Sequence, residues 1–415
     1  MRIAVIGSGI AGLAAAYYLS RKHEVSLFEK DGRLGGHTNT ILVESSRGPL
    51  AVDTGFIVHN DRNYPNLVKL FAELGVETQP SDMSFAVTCR NSGFEYSSRG
   101  LRGFFAQRSN MWRAEHYKLF AEILRFNRGA IKLLEEPGAD QATLGDFLDE
   151  ARFDGVFTEK YLFPMASAVW STSLDAIRSF PAVTLIRFFD NHGMLGINTH
   201  PKWRVLRGGS HRYIPPLAAP YKDRIHLGAQ ILSVERNESH VTLNFADRPA
   251  LCFDQVVFAC HGDQVLPLLE SPADAERDVL GNFTTSANEA CLHTDASLLP
   301  RRVDAQASWN YNLELNGRNA ATLTYDMNRL QSLDVEERYC VTLNGGAAID
   351  PAKIVERIIY NHPLYTREAI AAQARWKDIN GVNRTHFCGA YWFYGFHEDG
   401  LNSALRVARM LGVDC

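Results

Sequence analysis

The sixteen residues VSLFEKDGRLGGHTNT (25–40) contain an acid, Glu29, at the end of a strand-like run, and a glycine pair, Gly35 and Gly36, six residues on. Just upstream, RIAVIGSGIAG (2–12) is a short apolar strand pattern that runs into Gly7, Gly9 and Gly12 at the start of a small-residue helix, IAGLAAAYYLSRK. The strand, glycine turn, helix and second strand form a βαβ unit. In that unit Gly7 permits a tight turn, Gly9 lets backbone approach a pyrophosphate, and Gly12 lets the helix pack closely on the sheet. Glu29, seventeen residues beyond Gly12, is placed to accept the ribose hydroxyls of a dinucleotide and would repel a 2′-phosphate. A nicotinamide dinucleotide needs the acid but not the second glycine pair.

The run from Glu29 to Gly36 resembles the E-x-x-x-R-x-G-G extension of the flavin amine oxidase, protoporphyrinogen oxidase and phytoene desaturase superfamily. The resemblance implies FAD as cofactor, with Arg33, Gly35 and Gly36 along its pyrophosphate and ribityl chain. Further motifs follow in the same order. AVDTGFIVHN (51–60) resembles the strand where Asp53 and Gly55 pass the isoalloxazine, and WRVLRGGSHRYIPPL (203–217) the return to the nucleotide domain. AQILSVE (229–235) is similar to the strand whose Ile231 or Val234 backbone meets the adenine, and QVVFAC (255–260) to the later strand that carries Ala259. In CGAYWFYGFHEDGLNSALRVA (388–408), Ala390 stands after Gly389 where the superfamily has an acid; Glu398 and Asp399 are two replacements in sequence. Gly400, Leu401 and Asn402 are expected to offer helix N–H groups to the flavin.

A narrower resemblance rests on DTGFIVHNDRNYPNL, LHTDASLLPRR, ASWNY, TLTYDMNRLQSL and GAYWFYGFHEDG. These are similar to a bacterial subgroup of predicted amine-oxidase-like flavoproteins associated with cyclopropane-fatty-acid-synthase-like methyltransferases. That resemblance implies a fatty-acyl or phospholipid substrate and a lipid methyltransferase as partner.

The expected fold is α/β: a glutathione-reductase-like FAD-binding Rossmann domain with a discontinuous, amine-oxidase-like α+β substrate domain. Residues 1–80, 203–285 and 376–415 would form the first, and 81–202 and 286–375 the second. ANEACLHT, ASWNYNLEL, NAATLTYDM and YCVTLNG read as antiparallel strands of one sheet, and CFDQVVFAC as one buried strand. RNYPNLVKLFAELGV reads as an amphipathic helix closed by Gly75, and TLGDFLDEARF as a helix capped by Thr143 and Asp146.

Bulk properties bound the function. The 415 residues are 46% apolar and 22% charged with a formal charge of −4, which gives no reason to expect nucleic acid as partner. Seven scattered cysteines without C-x-x-C spacing fit reduced thiols, and fourteen histidines show no metal-ligand spacing, so no metal is expected. No apolar run reaches the ~18 residues of a spanning helix, and the first strand begins at the N-terminus without a leader pattern. A cytoplasmic protein is expected, peripheral to the membrane at most. Residues 99–132 hold eight Lys/Arg and two acids among large apolar residues, which suits either an anionic membrane surface or a solvated basic helix face.

A flavin takes the hydride, so the protein needs an apolar pocket, orientation and sometimes one base. His397, among Tyr391, Trp392, Tyr394 and Phe396, is the candidate base; the competing role is a structural hydrogen bond. Tyr325 and Trp392, with Tyr311, are candidates for an aromatic cage before the flavin; core packing is the alternative for each. His293 and Asp295 read as a structural pair, and Lys202 is the only lysine in chain order for the place many amine oxidases give one. The reaction read from this is FAD-dependent two-electron oxidation of a C–C or C–N unit. Acyl desaturation ranks ahead of amine oxidation, with redox-neutral isomerisation and a non-catalytic flavin-binding partner as alternatives.

Overall fold

The computed structural model describes residues 1–89, 91–136, 142–170, 174–196, 201–313 and 322–415. A five-stranded parallel sheet forms the nucleotide side, in the order Ile225–His226, Glu24–Phe28, Arg2–Ile6, Gln255–Phe258, Thr385–Phe387. Crossovers between parallel strands put helices on the faces, and the central strand Arg2–Ile6 is accordingly apolar on both sides. The helix Ile10–Leu19 is buried at every residue except Tyr17. Its alanines let it lie between the sheet and the C-terminal helix, His397–Met410, where a Cβ on Gly400 would come 2.7 Å from Ile10 Cγ2.

CFDQVVFAC is two strands rather than one. Leu251–Phe253 closes an antiparallel meander with Ile231–Arg236 and Val241–Phe245, while Gln255–Phe258 enters the parallel sheet. Asp254 between them is the cause. Its N–H donates to Arg2 O at 2.8 Å and its carboxylate accepts from Arg2 N at 2.7 Å, so the chain changes sheets at that residue. An apolar run does not reveal such a switch, because apolar residues lie on both sides of Asp254 and Gln255.

The second large sheet has seven strands, ordered Ile354–Pro363, Thr285–His293, Cys340–Leu343, Leu323–Asp326, Trp309–Asn312, Phe85–Cys89, Phe94–Ser97. The four strands read from sequence are mutually antiparallel as expected, although residues 314–321 of two of them lie outside the described residues. Phe85–Cys89 joins this sheet by a parallel pairing with Trp309–Asn312, and Ile354–Pro363 covers its other edge. Helices Ala114–Leu133, Phe163–Trp170 and Ala182–Asn191 pack on it through Phe126, Phe163 and Phe189. Two small sheets connect these layers: the hairpin Thr40–Ser45/Gly48–Asp53, and Val58–Asn60, Trp203–Leu206 and Thr78–Pro80.

Local signals held where they were strongest. The helix Pro65–Glu73 ends before Gly75, which takes φ +66°. Thr143 and Asp146 make the reciprocal capping box of Leu144–Glu150. The final helix begins at His397, four residues before the apolar pattern shows it, because Asp399 accepts the Phe396 N–H at 2.9 Å.

One buried ion pair ties the meander to its neighbouring helix. Arg236 donates to Glu276 at 2.5 and 2.9 Å, with side-chain exposures of 5% and 1%. Glu276 also accepts the Ala273 N–H at the helix start. Removing one partner strands a buried charge, so Glu276→Ala is expected to cost about 3 kcal/mol. A urea unfolding curve measures this; an unchanged midpoint would contradict it.

Candidate active site

The two glycine clusters pack on each other. Gly7, at φ +102°, donates its N–H to Phe28 O at 2.8 Å, and a Cβ there would stand 2.9 Å from Cys260 N. A Cβ on Gly12 would lie 1.9 Å from Gly7 O and 3.2 Å from Ala259 Cβ, so Gly12 and Ala259 serve close packing. Gly35, at φ +111°, donates to Ser8 O at 3.0 Å, and a Cβ on Gly36 would meet Gly9 Cα at 3.1 Å. The second pair therefore lies directly on the first loop. Arg33 braces it by donating to Gly36 O at 2.8 Å and Thr38 O at 3.2 Å.

Glu29 is buried at the end of its strand and accepts from Ser8 N at 2.8 Å, Ser8 Oγ at 2.6 Å and Asp31 N at 2.9 Å. Two observations test the fit of a dinucleotide here. Gly9, the N-cap of Ile10–Leu19, makes no side-chain capping bond, and its Cβ position is open for 4 Å around. The helix end is thus an uncapped, unobstructed anion site. The Nε2 of His37, directly after Gly36, is buried without a hydrogen-bond partner among the described residues. The residues fit FAD: the Gly9 helix end for the diphosphate, and Glu29 for a ribose.

Several expected cofactor residues have structural duties. The Asp53 carboxylate is fully buried and accepts from Ser210 N, Ser210 Oγ and Thr40 Oγ1 at 2.6–3.0 Å. It joins the hairpin to the Gly208–Gly209 loop and is saturated there, and burial raises its pKa to about 6. Val234 is a core residue of the meander, with Glu270 N donating to its carbonyl at 3.3 Å. Gly389 donates its N–H to Ser403 Oγ at 2.8 Å, and Leu401 is fully buried. Gly400 does not offer a free N–H, since it donates to Phe396 O at 3.0 Å as the first internally bonded residue of the helix. The unbonded first-turn groups belong to His397, Glu398 and Asp399 instead. Asn402 Oδ1 accepts from Asn66 Nδ2 at 2.7 Å.

Neither acid near Ala390 turns toward the cofactor. Glu398 accepts from Asn66 N at 3.0 Å and Leu67 N at 2.8 Å, capping the helix Pro65–Glu73. Asp399 caps its own helix, and burial raises it to about 7. Both carboxylates position the loop that carries His397.

Next to the glycine clusters opens a cavity of 930 Å³. Gly55, Phe56, His37, Tyr360, His362 and His397 form the wall on the nucleotide side. Gly55 has no room for a side chain, because a Cβ would lie 2.0 Å from His37 O. His397 stacks on Phe56 at 3.6 Å between ring centroids, and its Nε2 bonds Thr38 Oγ1 at 2.9 Å, which in turn bonds Tyr213 Oη at 2.6 Å. Burial lowers its pKa to about 3, so the ring is neutral and weakly basic. His37 stacks on Tyr360 and is held well below its ordinary pKa by burial, with His362 and His261 adding repulsion.

Tyr325 lines the cavity, edge-on to Trp309 at 4.9 Å. Trp392 does not: it packs on Phe283 and Tyr391 in the nucleotide-side core, because it faces inward from the turn Ala390–Trp392. Tyr311 is likewise buried, bonding Ser167 Oγ at 3.4 Å. His293 and Asp295 are the structural pair expected, bonded to Thr342 and to backbone. Lys202 lies on the cavity wall.

Sequence reasoning missed Trp170, Trp309 and Tyr365, which line the cavity with buried donors (Nε1, Nε1 and Oη) that have no partner among the described residues. They come from three distant segments, and no local pattern joins them. Far walls are Phe120, Ile123 and Leu124 of helix Ala114–Leu133, with Met165, Val169 and Phe188. Charge is one-sided: Arg99, Lys202 and Arg204 line the cavity against one carboxylate, Asp82, among the described residues.

A parallel-sheet dinucleotide site opening onto an apolar cavity defines a cofactor-dependent oxidoreductase. The chain belongs to the flavin containing amine oxidoreductase family, whose model matches residues 10–411, and its cofactor is FAD. It is 21% identical to the L-amino-acid oxidase of Pseudechis australis over 98% of this chain and 86% of that one. The fold matches a variant of putrescine oxidase, with TM-score 0.70 and 14% identity over 99% of both chains. It also matches a CLA-producing fatty acid isomerase from P. acnes, with TM-score 0.70 and 13% identity over 99% of both chains. Among the described residues no helix is long and apolar enough to cross a membrane.

The glycines separate two effects. Gly9 has φ −64° and open space at Cβ, so Gly9→Val is expected to fold normally but purify without the 450 nm-type flavin absorbance, a loss of at least about tenfold in occupancy. Gly12→Val should lose the fold itself, read by thermal melting, because its Cβ would enter Gly7 O.

Proposed function

We propose that this FAD-dependent oxidoreductase removes two electrons from a C–C unit of a fatty-acyl chain carrying an anionic end. The observation that carries the reading is the cavity's chemistry: aliphatic and aromatic walls with three cations against one carboxylate. A protonated amine meets net repulsion there, whereas a carboxylate or phosphate is attracted. Asp82 is further committed, accepting the Ser84 N–H at 2.8 Å.

When bound, FAD supplies the two-electron acceptor for a hydride. The chain's own residues supply position. Phe120, Ile123, Leu124 and Met165 would hold the acyl chain and exclude water, and the unpartnered donors of Trp170, Trp309 and Tyr365 suit an ester or acid carbonyl. His397 would act as a neutral wall residue: with a pKa near about 3 it is a poor proton acceptor near neutrality. Thr38 and Phe56 hold its ring against the nucleotide side. The nucleotide-side core supports a nucleotide-binding unit of residues 1–80, 203–285 and 376–415, extended to helix Arg367–Ala374 through Ala369 and Ala372. Residues 81–202 and 286–375 would then hold the substrate, with a lipid-modifying methyltransferase acting on the same acyl pool.

Anaerobic mixing of the FAD-loaded protein with unsaturated fatty acids, phospholipids or primary amines tests this. Flavin bleaching by the lipids and not by amines is expected. Bleaching by amines alone refutes the reading, and a lipid product with shifted double bonds but no net bleaching assigns isomerisation. Since His397 stays neutral above pH 4, kcat is expected to show no ionisation belonging to it between pH 5 and 9; a limb lost in His397→Gln would contradict that role.

A further inference from the structure

Beside the cavity lies a surface whose apolar side chains are left uncovered by the described residues. Trp112 is 90% exposed, Leu101 75% and Val303 69%, with Met111, Tyr117 and Phe120 also exposed. They come from adjoining segments: the helix Gly100–Phe104, the turn Arg108–Trp112 with the start of Ala114–Leu133, and the turn Val303–Ala305. Arg102 pairs with Asp304 at 2.9 Å and Arg99 donates to Gln306 O at 3.3 Å, which fixes the third segment to the first. Tyr117 Oη donates to Met111 O at 3.0 Å, fixing the helix to the turn. Single exposed apolar residues are ordinary, but a cluster of this kind marks a contact surface.

The charges around it select the partner. Arg108, Arg113 and Arg301 are exposed and have no carboxylate partner among the described residues. The nearby acids are already neutralised: Glu115 by Lys160, Glu122 by Arg125, Asp154 by Lys118 and Asp304 by Arg102. A second copy of this chain in a two-fold pairing would set the same cations against each other. An anionic bilayer complements them, and an exposed Trp beside arginines suits the headgroup level. Phe120 and Arg99 belong both to this surface and to the cavity lining, so the surface adjoins the cavity.

We propose that this face docks on an anionic lipid bilayer. Leu101, Met111 and Trp112 enter the headgroup–acyl boundary while Arg108, Arg113 and Arg301 meet lipid phosphates. The docked orientation sets the cavity mouth at the depth of the acyl chains. The bilayer contact is independent of the proposed reaction; only its use for substrate entry rests on that reading.

The test is sedimentation of the full-length, FAD-loaded protein with phosphatidylglycerol vesicles and with phosphatidylcholine vesicles. Co-sedimentation with the anionic vesicles at low salt is expected, falling at least about fivefold in 0.5 M salt. Trp112→Ala should weaken it about tenfold, and R108E/R113E should abolish it, with flavin absorbance and melting temperature unchanged. Absence of binding to the anionic vesicles at low salt overturns the proposal. So does binding that Trp112→Ala leaves intact, or a wild-type dimer that Trp112→Ala dissolves, which would assign the face to a second copy. Sedimentation is read without turnover: binding with no lipid oxidation leaves the docking surface standing and removes the substrate reading alone.

Discussion

Backbone packed on backbone at the N-terminal end of the first helix is the constraint from which the site follows. Gly12 places the helix Ile10–Leu19 so close to the first strand that its Cβ position lies within 1.9 Å of Gly7 O. Gly36 meets Gly9, and Gly35 bonds Ser8, so the second glycine pair seats on the first loop. The helix end, with its unpaired N–H groups, stays open beside Gly9. Gly400 repeats the device on the opposite face of the helix, bringing the C-terminal helix against Ile10 and His397 to the cavity wall. Side chains at Gly12 or Gly400 would separate layers whose contact defines the floor of the site.

Polar groups then fix what the glycines bring together. Asp53 and Glu398 are buried carboxylates spent on backbone N–H groups across a junction between segments, and Asp399 caps the start of its own helix. Burial raises all three, the opposite of an exposed cap, yet their accepted bonds hold the loops in place. Neither Glu398 nor Asp399 is therefore left free to stand in for the acid absent at Ala390. The same economy appears in Asp295 and Glu95, each of which caps loops of the second sheet.

The cavity joins this rigid floor to a wall of different character. Helix Ala114–Leu133 presents Phe120, Ile123 and Leu124 to the cavity while its opposite face carries exposed cations. Phe120 of this helix lies both on the cavity wall and on the proposed docking surface, so the two proposals meet at one side chain. The neutral histidines keep the wall beside the glycine clusters uncharged, and Arg99, Lys202 and Arg204 supply the cavity's positive charge.

How much was legible depended on the range of the interaction. The glycine spacing, Glu29, the capping box at Thr143 and the helix stop at Gly75 are local, so the nucleotide fold, its flavin and several helix limits could be read from residues near in sequence. Asp254, which turns one apolar run into strands of two sheets, acts through Arg2, 252 residues away, and no periodicity records it. Trp392 and Tyr325 look equally suited to a cage in sequence, yet only Tyr325 reaches the cavity, since packing against Phe283 turns the other inward. The sequence by itself determined the cofactor class, because backbone approach to a dinucleotide requires glycine at particular spacings. Tertiary structure alone decided which aromatics, donors and charges meet in the cavity, because those contacts join segments that share no local pattern.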